Sequence, residues 1–149
     1  MIDFFKSTGE VVASTIAEWN PERSRSENAY KQGLFRHLQE KLPKDWRVQT
    51  EYGIGDSKVD IAVISKDLLS TVTVFIELKM NMNSKDKQQR LRGQILEYAP
   101  HTTCLFIILC GKTDPKLCHS IKEDLSRESS RKKILFTDFE QYFQLFIKE

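Results

Sequence analysis

Asp60 and the triplet Glu77-Leu78-Lys79 lie inside two of the most apolar stretches of the chain, Lys58-Val59-Asp60-Ile61-Ala62-Val63-Ile64 and Val74-Phe75-Ile76-Glu77-Leu78-Lys79. Strands that read as near-continuous Val, Ile and Phe are buried, and a buried charge is costly unless it is paired or bound to a metal. Two carboxylates on adjacent strands can hold a hard divalent cation. Mg²⁺ takes a few oxygen ligands, keeps several waters and completes its shell from phosphate. Lys79 stands two residues beyond Glu77, so the two side chains share a strand face. Its ammonium can position or help deprotonate an attacking water while the metal stabilises charge on the phosphate. This residue set suits phosphodiester hydrolysis.

The elements that must position these residues follow from periodicity. Residues 2 to about 19 carry Phe4, Phe5, Val11, Val12, Ile16 and Trp19 at helical spacing. Ser26 to Leu42 carries Tyr30, Leu34, Leu38 and Leu42 as a second helical stripe. Asn20-Pro21 separates the two helices, and Pro43 ends the second. From Trp46 the period drops to two, with Trp46, Val48 and Thr50 alternating against polar neighbours, and Gly53-Ile54-Gly55-Asp56 supplies a turn. Asp56 reads as a turn residue rather than a site residue. Val59 to Ser65 and Thr71 to Leu78, joined through Lys66-Asp67, complete a three-strand meander. Ser84 to Tyr98 is predicted as a helix ended by Ala99-Pro100, and Thr103 to Cys110 as an apolar strand closed by Gly111. Asp114-Pro115 starts another helix, reaching about Arg127. Ser126 to Lys133 is expected to be a mobile loop. Ile134-Leu135-Phe136 reads as a short strand, and Thr137-x-x-Glu140 as a capping box opening a terminal helix through Phe139, Phe143 and Phe146.

At 149 residues the chain is expected to form a single domain spanning 1–149. With 40% hydrophobic and 30% charged residues and only six Gly and four Pro, the composition is globular rather than disordered. A net charge of +2 does not by itself announce a polyanion partner, so a nucleic-acid interface has to rest on local clusters. Lys79, Lys85, Lys87, Arg90 and Arg92 stand against the single acid Asp86, and Arg131-Lys132-Lys133 forms a second cluster; both read equally as solvated faces. Cys104, Cys110 and Cys118 cannot all pair within one chain and read as reduced, buried thiols, which predicts a cytoplasmic protein. Neither the cysteines nor His37, His101 and His119 have zinc-site spacing. No run has signal-peptide or membrane-span character, and no phosphate loop of the Gly-x-x-x-x-Gly-Lys type exists.

On these residues the chain resembles the PD-(D/E)XK nuclease superfamily, whose signature is an Asp on the second core strand followed by Glu-x-Lys on the third. Asp60, Glu77 and Lys79 match it, with Val59 in place of the usual Pro. The resemblance implies an α/β fold with a restriction-endonuclease-like core, a mixed central sheet of three-strand meander, helix and strand, flanked by helices. Gln94 and Tyr98 match the Gln-x-x-x-Tyr motif of the RecB-like branch, in which the pair lies beside the catalytic centre and touches DNA; packing of Tyr98 into a helix–sheet interface is the structural alternative. Glu27 resembles a helix-one Glu placed near the metals, but Ser24-x-x-Glu27 also reads as a capping box. The implied metal set is Asp60, Glu77, Leu78 and Glu27, holding Mg²⁺ with Mn²⁺ able to substitute. The implied DNA-binding set is Gln94, Tyr98, Lys85, Lys87, Arg90 and Arg92, with Gln88 read as an exposed helix residue. DNA is the expected partner, with a homodimer or a separate helicase subunit as further partners and no membrane. Three cysteines rule out the iron–sulfur cluster of some relatives. A non-catalytic nucleic-acid-binding or protein-interaction module of the same fold is the alternative. Trp19 and Trp46 read as core rather than base-stacking residues.

Overall fold

The computed structural model describes residues 7–66, 71–135 and 142–149. Helices α1 (Thr8–Glu18) and α2 (Glu27–Lys41) precede strands β1 (Arg47–Ile54), β2 (Ser57–Lys66) and β3 (Thr71–Met80). Helix α3 (Lys85–Tyr98) then leads through a short 3₁₀ turn to β4 (Cys104–Cys110), and α4 (Pro115–Leu135) leads to β5 (Tyr142–Lys148). Serine side chains start three of the helices: Ser7, Ser26 and Ser84 accept from the backbone N–H of Glu10, Ala29 and Lys87. No helix among the described residues is long and apolar enough to cross a membrane.

The five strands form one mixed sheet in the order β1-β2-β3-β4-β5. β1, β2 and β3 pair antiparallel as the expected meander, and β3, β4 and β5 pair parallel through the α3 and α4 crossovers. β4 is buried along its whole length, which accounts for its unbroken run Cys-Leu-Phe-Ile-Ile-Leu-Cys. Its even-numbered residues Phe106 and Ile108 pack with Val12, Ile16, Leu34 and Leu38 beneath α1 and α2. Its odd-numbered residues Leu105, Ile107 and Leu109 pack with Leu91, Ile95 and Ile121 beneath α3 and α4. Trp19 and Trp46 belong to the first core, and the three cysteines are buried and form no disulfide.

The C-terminal third departs from the reading by periodicity. α4 continues through Ser126 to Lys133, the stretch expected to be a loop, and takes in Ile134 and Leu135, expected to begin a strand. No Gly or Pro interrupts this stretch, so its polarity does not end the helix. Tyr142 to Lys148 is a strand rather than part of a terminal helix. Phe143 packs against the α3/α4 core and Phe146 lies in the α1/α2 core, so an apolar run in contact with both cores mimics helical spacing. Phe136, Thr137, Phe139 and Glu140 lie outside the described residues, as do residues 1–6 with Phe4 and Phe5.

α1 approaches the sheet closely at Gly9, where an added Cβ would stand 2.9 Å from Cys104 Sγ and 3.3 Å from Tyr142 Cβ. Gly9→Ala gains up to about 1 kcal/mol of helix propensity, whereas overpacking typically costs about 1–3 kcal/mol. The variant is expected to melt below the wild type in a thermal unfolding experiment. A melting temperature at or above wild type would show that α1 lifts off the sheet without cost.

Candidate functional site

β2 and β3 run as a regular ladder from Lys66↔Thr71 to Ile61↔Ile76, and there the pairing stops. Asp60 and Glu77 are the next residues on the two strands, and their carboxylates take over the ladder's role. Asp60 Oδ2 accepts from Leu78 N at 2.9 Å, and Glu77 Oε1 accepts from Asp60 N at 3.1 Å. Each carboxylate thus satisfies a backbone donor of the opposite strand that would otherwise be orphaned. Lys79 Nζ lies 3.2 Å from Glu77 Oε2, so the three residues singled out by sequence converge at the parting of two strands.

The electrostatics follow from burial. Glu77 is 2% exposed, and desolvation together with the nearby Asp60 charge pushes its pKa up from 4.5 to about 7, against the opposing pull of Lys79 and the Asp60 N–H. Asp60 is also raised, chiefly by burial, against the Leu78 N–H, Lys79 and Lys31. A buried Glu77 and a half-buried Asp60 side by side, with one engaged ammonium, make a site short of positive charge.

β1 and β2 both turn over at this level. Ile61 and Val63 face the α1/α2 core but Val59 faces the α3/α4 core; likewise Val48 packs against the first core, Tyr52 and Ile54 against the second. In unbroken strands each of these sets would share one face. The register Thr50↔Ile61 and Tyr52↔Val59 sets Glu51 opposite Asp60 at the turnover, and Glu51 adopts a left-handed φ of 53°. The Glu51 carboxylate is hydrogen-bonded and ion-paired to Lys31 Nζ of α2. This bond is the largest influence on both groups: it holds Glu51 low and raises Lys31, which Asp60 and Glu77 also raise.

Glu27, one helical turn before Lys31, does not serve a capping box. Ser26 is the N-cap, and Ser24 Oγ instead bonds the Ser26 backbone. The Glu27 carboxylate reaches across to accept from Met80 N at 3.1 Å, fastening the start of α2 to the end of β3. Its charge is among the influences that raise Asp60.

From α3, Tyr98 is 2% exposed, packs edge-on against Phe75 and donates its hydroxyl to Lys58 O at 3.0 Å, two residues before Asp60. This is the interface packing that the structural alternative describes, and it also braces the strand that carries Asp60. Gln94 is half-buried, one turn before Tyr98 on the same helix, and its buried Oε1 has no hydrogen-bond partner among the described residues. Lys85, Lys87, Arg90 and Arg92 are exposed. Lys87 Nζ donates to Asn81 O in the loop after β3, while Arg92 turns toward Asp124 of α4 at 3.8 Å. Gln88 is half-buried, and Asp56 is exposed in the two-residue turn between β1 and β2.

Among the described residues no three His, Cys, Asp or Glu side chains come together as a metal cage. A donor set of two carboxylates fits Mg²⁺, which keeps waters and needs few protein ligands, better than zinc in a closed site. Leu78, whose side chain is fully buried in the α1/α2 core, can add only its backbone carbonyl. Sequence reasoning missed Lys31 and Glu51. Lys31 could have been found, because it stands four residues after Glu27 and shares its helix face.

No family model and no curated protein matches the sequence. Among solved structures, SfsA of Pyrococcus furiosus in complex with Ca²⁺ is similar at a TM-score of 0.45 and 16% identity, covering 80% of this chain and 57% of that one. The chain therefore corresponds to little more than half of SfsA.

The Glu77 carboxyl gives a stability signature. Its folded pKa lies above its unfolded value, so its contribution is fully present below about pH 4.5 and is lost as pH rises through about 7. The shift corresponds to at most about 3 kcal/mol of destabilisation at neutral pH in metal-free protein. Glu77→Gln is expected to melt several degrees above wild type at pH 8 in chelator, the gap closing toward pH 4.5. A pH-independent difference would contradict the burial of an ionisable Glu77.

Proposed function

We propose that the chain is a metal-dependent nuclease that hydrolyses DNA phosphodiester bonds, of the PD-(D/E)XK kind and its RecB-like branch. The observation that supports it is the convergence of Asp60, Glu77 and Lys79 where β2 and β3 part. In this reading Asp60 and Glu77, with the Leu78 carbonyl, would hold Mg²⁺ or Mn²⁺. A bound divalent cation supplies Lewis-acid stabilisation of phosphate charge and lowers the pKa of a water to be used as nucleophile. Lys79 orients that water and shares its ammonium with Glu77. Tyr98 acts from behind as a positioning residue, bracing Lys58 and so the Asp60 strand. Lys85, Lys87 and Arg90 contribute phosphate contacts, which set register without reading sequence. The buried thiols, none in a disulfide, suit action in a reducing cytoplasm.

One observation favours a second reading, a binding module without catalysis: both carboxylates are hydrogen-bonded to backbone and could serve as strand caps alone. Asp60→Asn and Glu77→Gln separate the two, because the amides keep an acceptor oxygen and lose the charge. Purified protein with Mg²⁺ or Mn²⁺ is offered labelled linear double-stranded, linear single-stranded and closed circular DNA. Wild type is expected to cleave, circle cleavage marking an endonuclease and loss of linear substrates alone an exonuclease.

Asp60→Asn, Glu77→Gln and Lys79→Ala are each expected to lower cleavage by about 100-fold or more while remaining folded, and excess chelator to stop it. Mg²⁺ should also raise the melting temperature of wild type but not of Asp60→Asn. Cleavage in chelator, or full activity in any of the three variants, would contradict the assignment. Glu27→Gln, which can still accept from Met80 N, is expected to keep wild-type stability and lose activity. An active Glu27→Gln would leave Glu27 a tether between α2 and β3.

A further inference from the structure

We propose that Lys31 is a phosphate-binding residue for the nucleic-acid strand and that Glu51 is its competitive counterion, a latch that a backbone phosphate displaces; this rests on the nuclease reading. Three observations locate it. Lys31 stands one turn after Glu27, whose carboxylate ties α2 to Met80 N at the end of β3. Its ammonium is bonded to Glu51, the residue set opposite Asp60 at the turnover of β1 and β2. Glu51 holds a left-handed backbone conformation, with φ at 53°, that is unfavourable for a non-glycine residue. Strain of this kind persists where surrounding structure imposes it, and it concentrates at functional sites.

Charge balance supplies the direction. Glu27, Glu51, Asp60 and Glu77 surround this end of the sheet, and the two lysines bonded among them, Lys31 and Lys79, are each taken by a glutamate. A polyanion approaching Asp60 gains either of these two lysines only by exchange. The two partners are unequally held: the Lys31 side chain is 14% exposed, but that of Glu51 is 50% exposed. Solvent can therefore take up the released Glu51 carboxylate at low cost while Lys31 stays in place, since an exposed ion-pair partner contributes little.

The test is a double-mutant cycle on DNA affinity, read by fluorescence anisotropy of a labelled single-stranded oligonucleotide in Ca²⁺ at fixed salt, with the probe checked intact afterwards. Glu51→Gln is expected to tighten binding by about twofold to fivefold, and Lys31→Gln to weaken it by a similar factor. The gain from Glu51→Gln should vanish in the Lys31→Gln background. Asp56→Asn, which removes an exposed acid of the same hairpin, controls for general loss of negative charge. Glu51→Gly, which removes the latch and accommodates the backbone, should tighten binding likewise and keep the fold should Gln not. An equal gain in the Lys31→Gln background, or an equal gain from Asp56→Asn, overturns the latch. Wild-type binding with no effect of Lys31→Gln also overturns it but leaves the nuclease reading standing. No binding by wild type removes both.

Discussion

Two crossed hydrogen bonds organise this protein: Leu78 N donates to the carboxylate of Asp60, and Asp60 N donates to the carboxylate of Glu77. They stand where the β2–β3 ladder ends at Ile61↔Ile76, and they let two strands separate without leaving buried backbone donors unpaired. The solution places two acids within the apolar runs of β2 and β3. Once there, they repel each other and resist ionisation, as the Glu77 pKa of about 7 reflects. A hydrogen-bonded strand cap and a cation-seeking carboxylate pair are therefore one arrangement.

The rest of the fold supports that parting. α2 fastens to it twice, through Glu27 to Met80 N and through Lys31 to Glu51. α3 fastens from the other face, through the Tyr98 hydroxyl to Lys58 O. The change of face at Glu51 and Asp60 delivers Tyr52 and Val59 to the core beneath α3, where Tyr52 packs on Phe75 and Phe75 on Tyr98. Buried apolar layers on both sides of β3 thus hold the charged end of the strand without contributing a charge to it.

Sequence reasoning reached the central sheet and its carboxylates because a charge inside a β-rich apolar run is rare enough to stand out. The meander, the α3 crossover and β4 were legible for a related reason, that period, turn residues and capping signals agree there. Agreement failed after Ser126. A polar stretch without Gly or Pro looks like a loop yet continues α4, and Phe143 and Phe146, three apart, fit a helix face as well as opposite faces of a strand that touches both cores. The Glu51–Lys31 pair was hidden more deeply. Glu51 alternates with its neighbours as any solvent-facing strand residue does, and its left-handed φ has no signature in a Glu. Glu27 showed the limit of local motifs, since its partner Met80 lies in a different element, 53 residues away, rather than three residues back at Ser24.

The measurement that bears most directly on water attack at Asp60 and Glu77 is cleavage of DNA in heavy-oxygen water with Mg²⁺, followed by mass spectrometry of the terminal phosphates. Hydrolysis at this site places a single heavy oxygen on each new phosphate end with wild type, and yields no labelled ends with Asp60→Asn. Intact DNA with folded, Mg²⁺-supplied wild type, or cleaved ends that carry no heavy oxygen, would contradict phosphodiester hydrolysis at the parting of β2 and β3.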